Sequence, residues 1–126
     1  MTKEHSRPRE VERFIVDLKN ICVENGLICF LGVQLGRRTD YETGEPKLAD
    51  LADSSAIEKE ADAVVFMWID KAMQPESEGD KPAPHKIVNC SFGKNRHGLQ
   101  VSWKMIFNRN SMRMFQEETN VPKNLF

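Results

Sequence analysis

The 126-residue sequence contains no glycine-rich phosphate loop of the form G-x-x-x-x-G-K-[S/T]. That loop supplies backbone N–H groups and a lysine to nucleotide phosphates, so its absence argues against a self-contained nucleotide site of that kind. No spacing of serine, histidine and aspartate indicates a catalytic triad either. The sequence therefore contains neither of these two motifs.

Cysteine is scarce, and its spacing gives no framework. The three cysteines (Cys22, Cys29 and Cys90) are odd in number and form no C-x-x-C pair. This usage is typical of reduced thiols in a cytoplasmic protein, which is the predicted location. The spacing of Cys90 with His85 and His97 matches no familiar zinc pattern, so no metal site is predicted.

Long apolar runs are also missing. Residues 1–10 are charged and have no apolar centre, so they do not form a signal peptide. No apolar run approaches the length of a membrane span, and no membrane partner is expected.

The charge of the chain is balanced overall but unevenly distributed. The sequence is 40% hydrophobic and 29% charged with a net charge of −1, as in an ordinary soluble domain, and 1–126 is predicted to be one domain. Residues 40–80 contain twelve acidic and three basic residues, whereas residues 81–113 contain seven basic residues and no acidic one. The basic third either faces phosphates or forms solvated strand surfaces, and composition alone leaves both readings open.

The first half of the chain predicts a helix followed by a buried strand. Ser6 and Pro8 are start signals, and Asn25-Gly26 is a stop signal. Between them the apolar residues recur at helical steps, mostly of three and four: Val11, Phe14, Ile15, Leu18, Ile21 and Cys22. The continuous apolar run 27–33 is typical of a strand covered on both faces in a parallel sheet.

The second half predicts one more helix and four more strands. Residues 37–49 form a loop, and a short helix within 50–61 begins near Ser54 or Ser55. A buried strand at 63–69 and a loop at 71–84 follow. The last strands, in hairpin order, are 86–92, 99–107 and 112–116, with a turn at 108–111. The whole pattern indicates an α/β fold in which parallel strands with flanking helices precede an antiparallel hairpin region.

Two sites in this pattern carry candidate functional residues. Gln34, Arg37 and Arg38 follow the predicted strand 27–33, at the sheet edge where α/β proteins bind ligands. Lys94 and Arg96 lie between Gly93 and Gly98, on a predicted loop that would aim both cations at one phosphate. Solvated surface is the alternative interpretation of each site.

Taken together, these features resemble the C-terminal half of the RecA-like motor domain of DnaB-type replicative DNA helicases. The resemblance runs from Val11 to Phe115. Its specific parts are Gln34-Leu35 with Arg37, Leu48-Ala49-Asp50-Leu51 leading to Ile57–Phe66, and Gly93–Gly98 followed by Val101, Phe107 and Arg113-Met114-Phe115. Their order and spacing carry the resemblance, since each part alone is a weak signal.

The resemblance implies roles for these residues in ATP hydrolysis. Gln34 is similar to the family's phosphate-sensing glutamine, and Lys94 and Arg96 to its basic pair, with Arg96 as the arginine finger that reaches the neighbouring subunit's ATP. Residues 52–55 correspond to the loop that holds single-stranded DNA. Arg37 and Arg38 are further candidates for contact with the nucleic-acid backbone.

The resemblance also has two departures. The DNA-binding loop of the family usually has an arginine, a glutamate and a glycine where this chain has Ala52, Asp53 and Ser55, so a phosphate-binding cation is missing. In addition, the family's phosphate loop, catalytic glutamate and magnesium-binding aspartate precede the region of resemblance and have no counterpart here. ATP and Mg²⁺ are therefore expected only in the complete motor.

The sequence thus predicts a C-terminal fragment of a hexameric, ATP-driven DNA helicase, inactive alone. Its expected partners are single-stranded DNA, other subunits of the ring, and primase or a chain that bears the phosphate loop. One alternative is a non-catalytic, helicase-derived binding module that docks on an intact ring. Another is a relative of RecA-like recombinases or clock-type ATPases. Without the preceding strands, the sheet is expected to expose apolar surface and to favour self-association.

Overall fold

The first described element is helix α1, Arg7–Asn25. The structure is a computed structural model that describes residues 7–35, 44–51, 54–77 and 79–116. The predicted stop signal of α1 is confirmed: Gly26 has a positive φ of 61°, and its N–H donates to the Val23 carbonyl at 3.3 Å. The N–H of Leu27 donates to the Cys22 carbonyl at 2.8 Å, which completes a Schellman motif. The chain therefore turns back sharply after α1.

The strand predicted at 27–33 is wrong for this structure. These residues form no strand, and every one of them is exposed, with Ile28 at 87% and Phe30 at 96% of full exposure. An apolar strand is stable only where neighbouring strands satisfy its backbone and other elements cover its faces. In the described part of the chain no strand pairs with residues 27–33. The first β-bridge after this segment joins Leu35 to Leu51.

A small core lies between the helices and the sheet. Leu48–Asp50 form one turn of 3₁₀ helix, and helix α2, Ser54–Glu60, begins where the sequence predicted. One core cluster connects α1, this segment, α2 and the first strand through Ile15, Leu51, Ala56, Ile57 and Phe66. The side chain of Phe66 is only 3% exposed.

Four strands form one sheet in the order β1-β2-β3-β4: Ala63–Trp68, His85–Asn95, Ser102–Asn108 and Arg113–Gln116. All neighbouring pairs are antiparallel, so the hairpin region is confirmed, whereas none of the described strands forms the predicted parallel arrangement. Parallel neighbours need a crossover connection, usually a helix. Among its described residues the connection from β1 to β2 contains the 3₁₀ turn Lys71–Met73 and no α-helix, and β2 returns antiparallel.

The connection between β1 and β2 is fastened by one glutamine. The side-chain amide of Gln74 donates to the Ile87 carbonyl at 3.0 Å and accepts from the Ile87 N–H at 3.0 Å. The Gln74 side chain thereby makes the hydrogen bonds that a neighbouring strand would make with Ile87. The pairing of β2 with β1 begins two residues later, at Asn89. The same amide also donates to the Asp70 carbonyl at 2.8 Å.

Strand β2 contains an irregularity beside the candidate site. In the pairing with β1, Val64 is opposite Lys94 and Val65 is opposite Phe92, which leaves Gly93 without a partner position. A Cβ atom on Gly93 would lie 2.9 Å from Cδ2 and 3.0 Å from Cζ of Phe66. Gly93 is therefore needed because the buried Phe66 ring occupies the space of a side chain.

Candidate phosphate-binding cluster at the end of α2

Lys94 belongs to strand β2, so the prediction that it lies on a loop is wrong. Its Nζ donates to the main-chain carbonyls of Glu58 at 2.6 Å and Lys59 at 3.4 Å, in the last turn of α2. Those carbonyls carry the partial negative charge of a helix C-terminus, which a cation stabilises. Strand pairing fixes the Lys94 backbone, and the helix end fixes its ammonium group.

Arg96 follows directly after β2 and is held at both its backbone and its side chain. Its N–H donates to the Asp62 carbonyl at 2.9 Å. One terminal nitrogen of the guanidinium donates to Asp62 Oδ1 at 2.8 Å, and the other donates to the Lys59 carbonyl at 3.2 Å. The side chain nevertheless remains 42% exposed. A guanidinium has five N–H donors, so this arrangement leaves capacity for another acceptor.

Asp62 connects three elements through this cluster. Its Oδ2 atom accepts from Lys19 Nζ of α1 at 2.6 Å, and its Oδ1 atom accepts from Arg96. The hydrogen bond from Lys19 lowers the pKa of Asp62 below its ordinary value of 3.8, and the charges of Lys19, Arg96 and His97 lower it further against the opposing effect of desolvation. The group is therefore a carboxylate at neutral pH. Lys19, Asp62, Lys94 and Arg96 are called the Arg96 cluster below.

The Arg96 cluster has more positive than negative charge. Lys19 and Arg96 bind the one carboxylate of the cluster, and Lys94 donates to carbonyl oxygens of the same helix end as Arg96 does. A phosphate oxygen brought to the exposed side of Arg96 would meet a planar donor fork with a second cation nearby. It would have to compete with Asp62 and the Lys59 carbonyl for those donors.

The other predicted site residues do not join the Arg96 cluster in the described part of the chain. Gln34 is exposed, next to the bridge between Leu35 and Leu51, and none of the hydrogen bonds of Lys94 or Arg96 goes to it. Ser55 is exposed in the first turn of α2. Arg37, Arg38 and Asp53 lie outside the described residues, as does Ala52.

Two residues of the Arg96 cluster were not predicted from the sequence. Lys19 and Asp62 are 43 positions apart, and Asp62 is 34 positions from Arg96. No short spacing rule connects such positions. One local signal could have identified Asp62 as a candidate. It lies between a predicted helix and a predicted strand, where a polar side chain can interact with the end of the helix.

The residues considered as metal ligands are dispersed in the structure. His85 Nε2 lies 3.3 Å from the side-chain nitrogen of Asn108, Cys90 is only 1% exposed within β2, and His97 is exposed. Within the described ranges, no three His, Cys, Asp or Glu side chains are grouped as a metal ion would need. Those ranges also contain no helix long and apolar enough to cross a bilayer.

The fold of the described residues is shared with solved DnaB-like helicase and ATPase domains. The chain belongs to the DnaB-like helicase C-terminal domain family, whose model matches residues 1–117. It is 32% identical over 107 residues to a probable plasmid replicative DNA helicase of Chlamydia psittaci, covering 84% of this chain and 22% of that protein. It is 27% identical over 114 residues to a probable replicative DNA helicase of Trieres chinensis, covering 90% and 25%.

Solved structures agree with this family. The chain superposes on a DnaB-like replicative helicase, described with its interactions with primase, at a TM-score of 0.66 and 26% identity, covering 85% of this chain and 25% of that one. It superposes on a second solved structure, described as an ATPase domain, at a TM-score of 0.71 and 26% identity, covering 93% and 40%. The chain thus spans about a quarter of the length of the curated relatives it matches.

Proposed function

We propose that this chain acts as the C-terminal part of a hexameric, ATP-dependent replicative DNA helicase motor. Arg96 and Lys94 bind the phosphates of an ATP molecule held by a neighbouring subunit, and Gln34 senses the γ-phosphate in its own subunit. The observation that supports this proposal is the rigid support of the basic pair. β2 and the end of α2 hold both cations side by side, and the Arg96 side chain is still 42% exposed.

The chemistry of the proposed role is electrostatic. During phosphoryl transfer, negative charge spreads over the transferring group, and a preorganised guanidinium stabilises it with little rearrangement. Such an arginine can be supplied by a neighbouring subunit, as the head-to-tail contacts of a ring allow. In this chain the guanidinium of Arg96 would replace its hydrogen bonds to Asp62 and the Lys59 carbonyl with hydrogen bonds to phosphate oxygens. The ammonium group of Lys94 would contribute a second positive charge beside the phosphate.

The described residues of this chain contain no complete site for ATP or Mg²⁺. The sequence contains no phosphate-binding glycine loop, and the described residues include no group of three or more metal-ligating side chains. The nucleotide would therefore be held by a chain that bears a phosphate loop. We assign this chain the basic pair and Gln34, and no Mg²⁺ ligand.

Single-stranded DNA is the proposed substrate of the assembled motor. The candidate contacts are Arg37, Arg38, Asp53 and Ser55, of which Ser55 is described and exposed. Primase is a further proposed partner, because one structural neighbour is described with its interactions with primase. In this proposal the other partners are further subunits of the ring.

A second candidate function is a non-catalytic module that docks on an intact helicase ring. The exposed apolar residues of the segment 27–33 favour it, because an apolar segment that belongs to no strand of the described sheet suits addition to a partner. In that case the Arg96 cluster would keep its internal contacts, and hydrolysis would not depend on Arg96.

DNA-stimulated ATP hydrolysis distinguishes the two functions. The chain is assayed alone and then mixed with a phosphate-loop-bearing helicase of the same source, as the wild type and as Arg96→Ala. Arg109→Ala is the matched control, since Arg109 is an exposed arginine at the turn between β3 and β4. We expect no hydrolysis by the chain alone and a change in the mixture that Arg96→Ala abolishes and Arg109→Ala retains.

Other outcomes contradict the motor proposal in different ways. Hydrolysis by the pure chain would require a nucleotide site that its residues do not supply. Binding to the ring with equal effects of wild type and Arg96→Ala would instead support the docking module. Hydrolysis that is unchanged by the chain, with no binding to the ring, would contradict both functions.

A further inference from the structure

Both acceptors of the Arg96 side chain are shared with a second cation. Asp62 accepts from Arg96 at Oδ1, at 2.8 Å, and from Lys19 at Oδ2, at 2.6 Å. The Lys59 carbonyl accepts from Arg96 at 3.2 Å and from Lys94 Nζ at 3.4 Å. If the guanidinium moved away, each of these acceptors would therefore keep a hydrogen-bond donor. Loss of a hydrogen bond costs least where no polar group is left unpaired.

The backbone of Arg96 is fixed independently of its side chain. Its N–H donates to the Asp62 carbonyl at 2.9 Å, and the residue before it, Asn95, ends β2 opposite Ala63 of β1. The Asp62 side chain is 55% exposed, so the ion pair between the two side chains is open to water. Exposed ion pairs contribute little free energy, because water competes for both groups. The guanidinium can therefore leave its acceptors while its point of attachment stays in place.

We propose that the Arg96 side chain alternates between a resting position on Asp62 and the Lys59 carbonyl and a phosphate-bound position, and that Lys19 sets the balance between the two. Lys19 is a positioning residue in this scheme, because it acts on Arg96 through Asp62. The inference rests on the proposed function, since it takes nucleotide phosphates as the ligand of Arg96. It adds control of phosphate binding by a residue of helix α1.

Lys19 and Asp62 should affect phosphate binding in opposite directions. The Asp62 carboxylate competes with phosphate for the guanidinium, so it favours the resting position. Lys19 keeps that carboxylate paired after Arg96 has left it. Two cations that share one carboxylate also repel each other, so removal of Lys19 would strengthen the remaining pair between Asp62 and Arg96. Lys19 therefore favours phosphate binding without being a phosphate ligand.

This arrangement connects phosphate binding to the position of α1. Lys19 lies in α1, which joins the core through Ile15, whereas Asp62 lies between α2 and β1. A movement of α1 that separates Lys19 from Asp62 would weaken phosphate binding by Arg96. Replacement of Lys19 imitates this separation while α1 keeps its place in the core.

The test is a titration of the full chain with inorganic tripolyphosphate, followed by NMR at the backbone amides of residues 94–97. Salt of about 0.15 M limits the influence of distant charges to about 8 Å. Asp62→Asn keeps the shape of the side chain and removes its charge, and we expect about two- to fivefold tighter binding, the range of an exposed ion pair. Lys19→Met should bind about two- to fivefold more weakly for the same reason. Lys104→Met removes the same charge at an exposed position of β3 and should have a smaller effect.

A double-variant cycle separates action through Asp62 from a general effect of charge. In the Asp62→Asn background, Lys19→Met should have no larger effect than Lys104→Met, because the carboxylate that connects Lys19 to Arg96 is gone. Lys19→Arg, which keeps a cation beside Oδ2, should bind as the wild type does. An equal loss from Lys19→Met in both backgrounds would overturn the inference. Binding by Asp62→Asn that is no tighter than that of the wild type would overturn it as well.

Arg96→Ala distinguishes a failure of this inference from a failure of the proposed function. If Arg96→Ala loses tripolyphosphate binding, Arg96 is a phosphate ligand, and the outcomes above concern Lys19 and Asp62 alone. If Arg96→Ala binds as tightly as the wild type, the phosphate role of Arg96 is wrong, and the inference fails with it. The same conclusion follows if neither the wild type nor Asp62→Asn binds tripolyphosphate.

Discussion

Asp62 is the residue through which helix α1 and the strand end that carries Arg96 are joined. Its two carboxylate oxygens accept separately from Lys19 at 2.6 Å and from Arg96 at 2.8 Å. Because the pKa of Asp62 is lowered in the folded state, its ionisation contributes stability above pH 3.8, and that contribution is lost as the pH falls below this value. A change at this one carboxylate therefore affects both contacts.

The pKa of Asp62 should depend more on Lys19 than on Arg96. We predict that Lys19→Met raises this pKa further than Arg96→Ala does, because the hydrogen bond from Lys19 is the largest cause of the shift. NMR titration of the Asp62 carboxyl carbon in the wild type and in each variant measures it. A larger rise in Arg96→Ala would contradict the stronger role of Lys19.

Lys94 should stabilise the end of α2 through its charge. Replacement by Met keeps the aliphatic stem and removes the ammonium that donates to Glu58 and Lys59. We expect Lys94→Met to lower the free energy of unfolding by roughly 0.5–1 kcal/mol, as for a cation at a helix C-terminus. Urea denaturation checks this, and Lys104→Met, at an exposed position of β3, should change it less. Equal losses in the two variants would show that Lys94 contributes no more than a surface lysine.

At the scale of elements, strand β2 and Phe66 determine where the basic pair lies. Gly93 allows the Phe66 ring to approach the irregular position of β2, directly before Lys94. We predict that Gly93→Ala lowers the free energy of unfolding by about 1–3 kcal/mol, since the added methyl group overlaps a buried ring that cannot move freely. Gly32→Ala is the matched control, because no atom lies within 4 Å of the added Cβ there and the backbone needs no positive φ.

Urea denaturation and ATP hydrolysis in the mixed assay together test this element. A Gly93→Ala chain as stable as Gly32→Ala would show that Phe66 has another position available. If Gly93→Ala folds, we expect its effect on hydrolysis to follow that of Arg96→Ala, because the strand end that supports Arg96 would be displaced.

The elements differ in how far the sequence predicted them. The end of helix α1 was predicted correctly because its stop signal, Asn25-Gly26, is local and forms the Schellman motif. The prediction of a strand at 27–33 was wrong. An apolar run indicates that a segment would be stable when buried, but it does not show that neighbouring strands are present to cover and pair with it. Lys94 was placed on a loop because Gly93 is a turn signal, whereas the packing of Phe66 across the sheet requires that glycine within a strand.

The candidate site was partly predictable for the same reason. The basic pair is close in sequence and was found, and the family resemblance gave it a role that stays a prediction. Asp62 contacts Arg96, and Lys19 contacts Asp62, because α1 packs near the junction of α2 and β1. A local sequence pattern cannot predict such a tertiary contact. The strands predicted at 63–69, 86–92, 99–107 and 112–116 all have counterparts in the sheet, and the turn signals before the last strands describe hairpins well.

At the scale of the whole molecule, the segment 27–33 is the largest departure from a normal protein surface. Ile28 and Phe30 are 87% and 96% exposed within one continuous apolar run. We predict concentration-dependent self-association of the isolated chain, since contiguous apolar surface with unpaired backbone favours pairing between copies.

Sedimentation velocity tests this with two variants. Ile28→Ser combined with Phe30→Ser should shift the chain toward monomer, whereas Leu99→Ser, at an isolated residue that is 81% exposed, should not. A wild-type chain that stays monomeric as its concentration rises would contradict the prediction. An equal response to both variants would show that the segment has no special role in association.

The order β1-β2-β3-β4 also has a consequence for how the chain reaches its native state. Each strand pairs with the strand that precedes it in the sequence, so a nascent chain emerging from the ribosome can add every new strand to one already made. Pairing between strands that are neighbours in the sequence needs no crossover connection. Helix α1 is synthesised before α2, on which it packs, so its buried Ile15 must wait for later residues. Pulsed amide exchange should therefore protect the β2–β3 hairpin before the middle of α1.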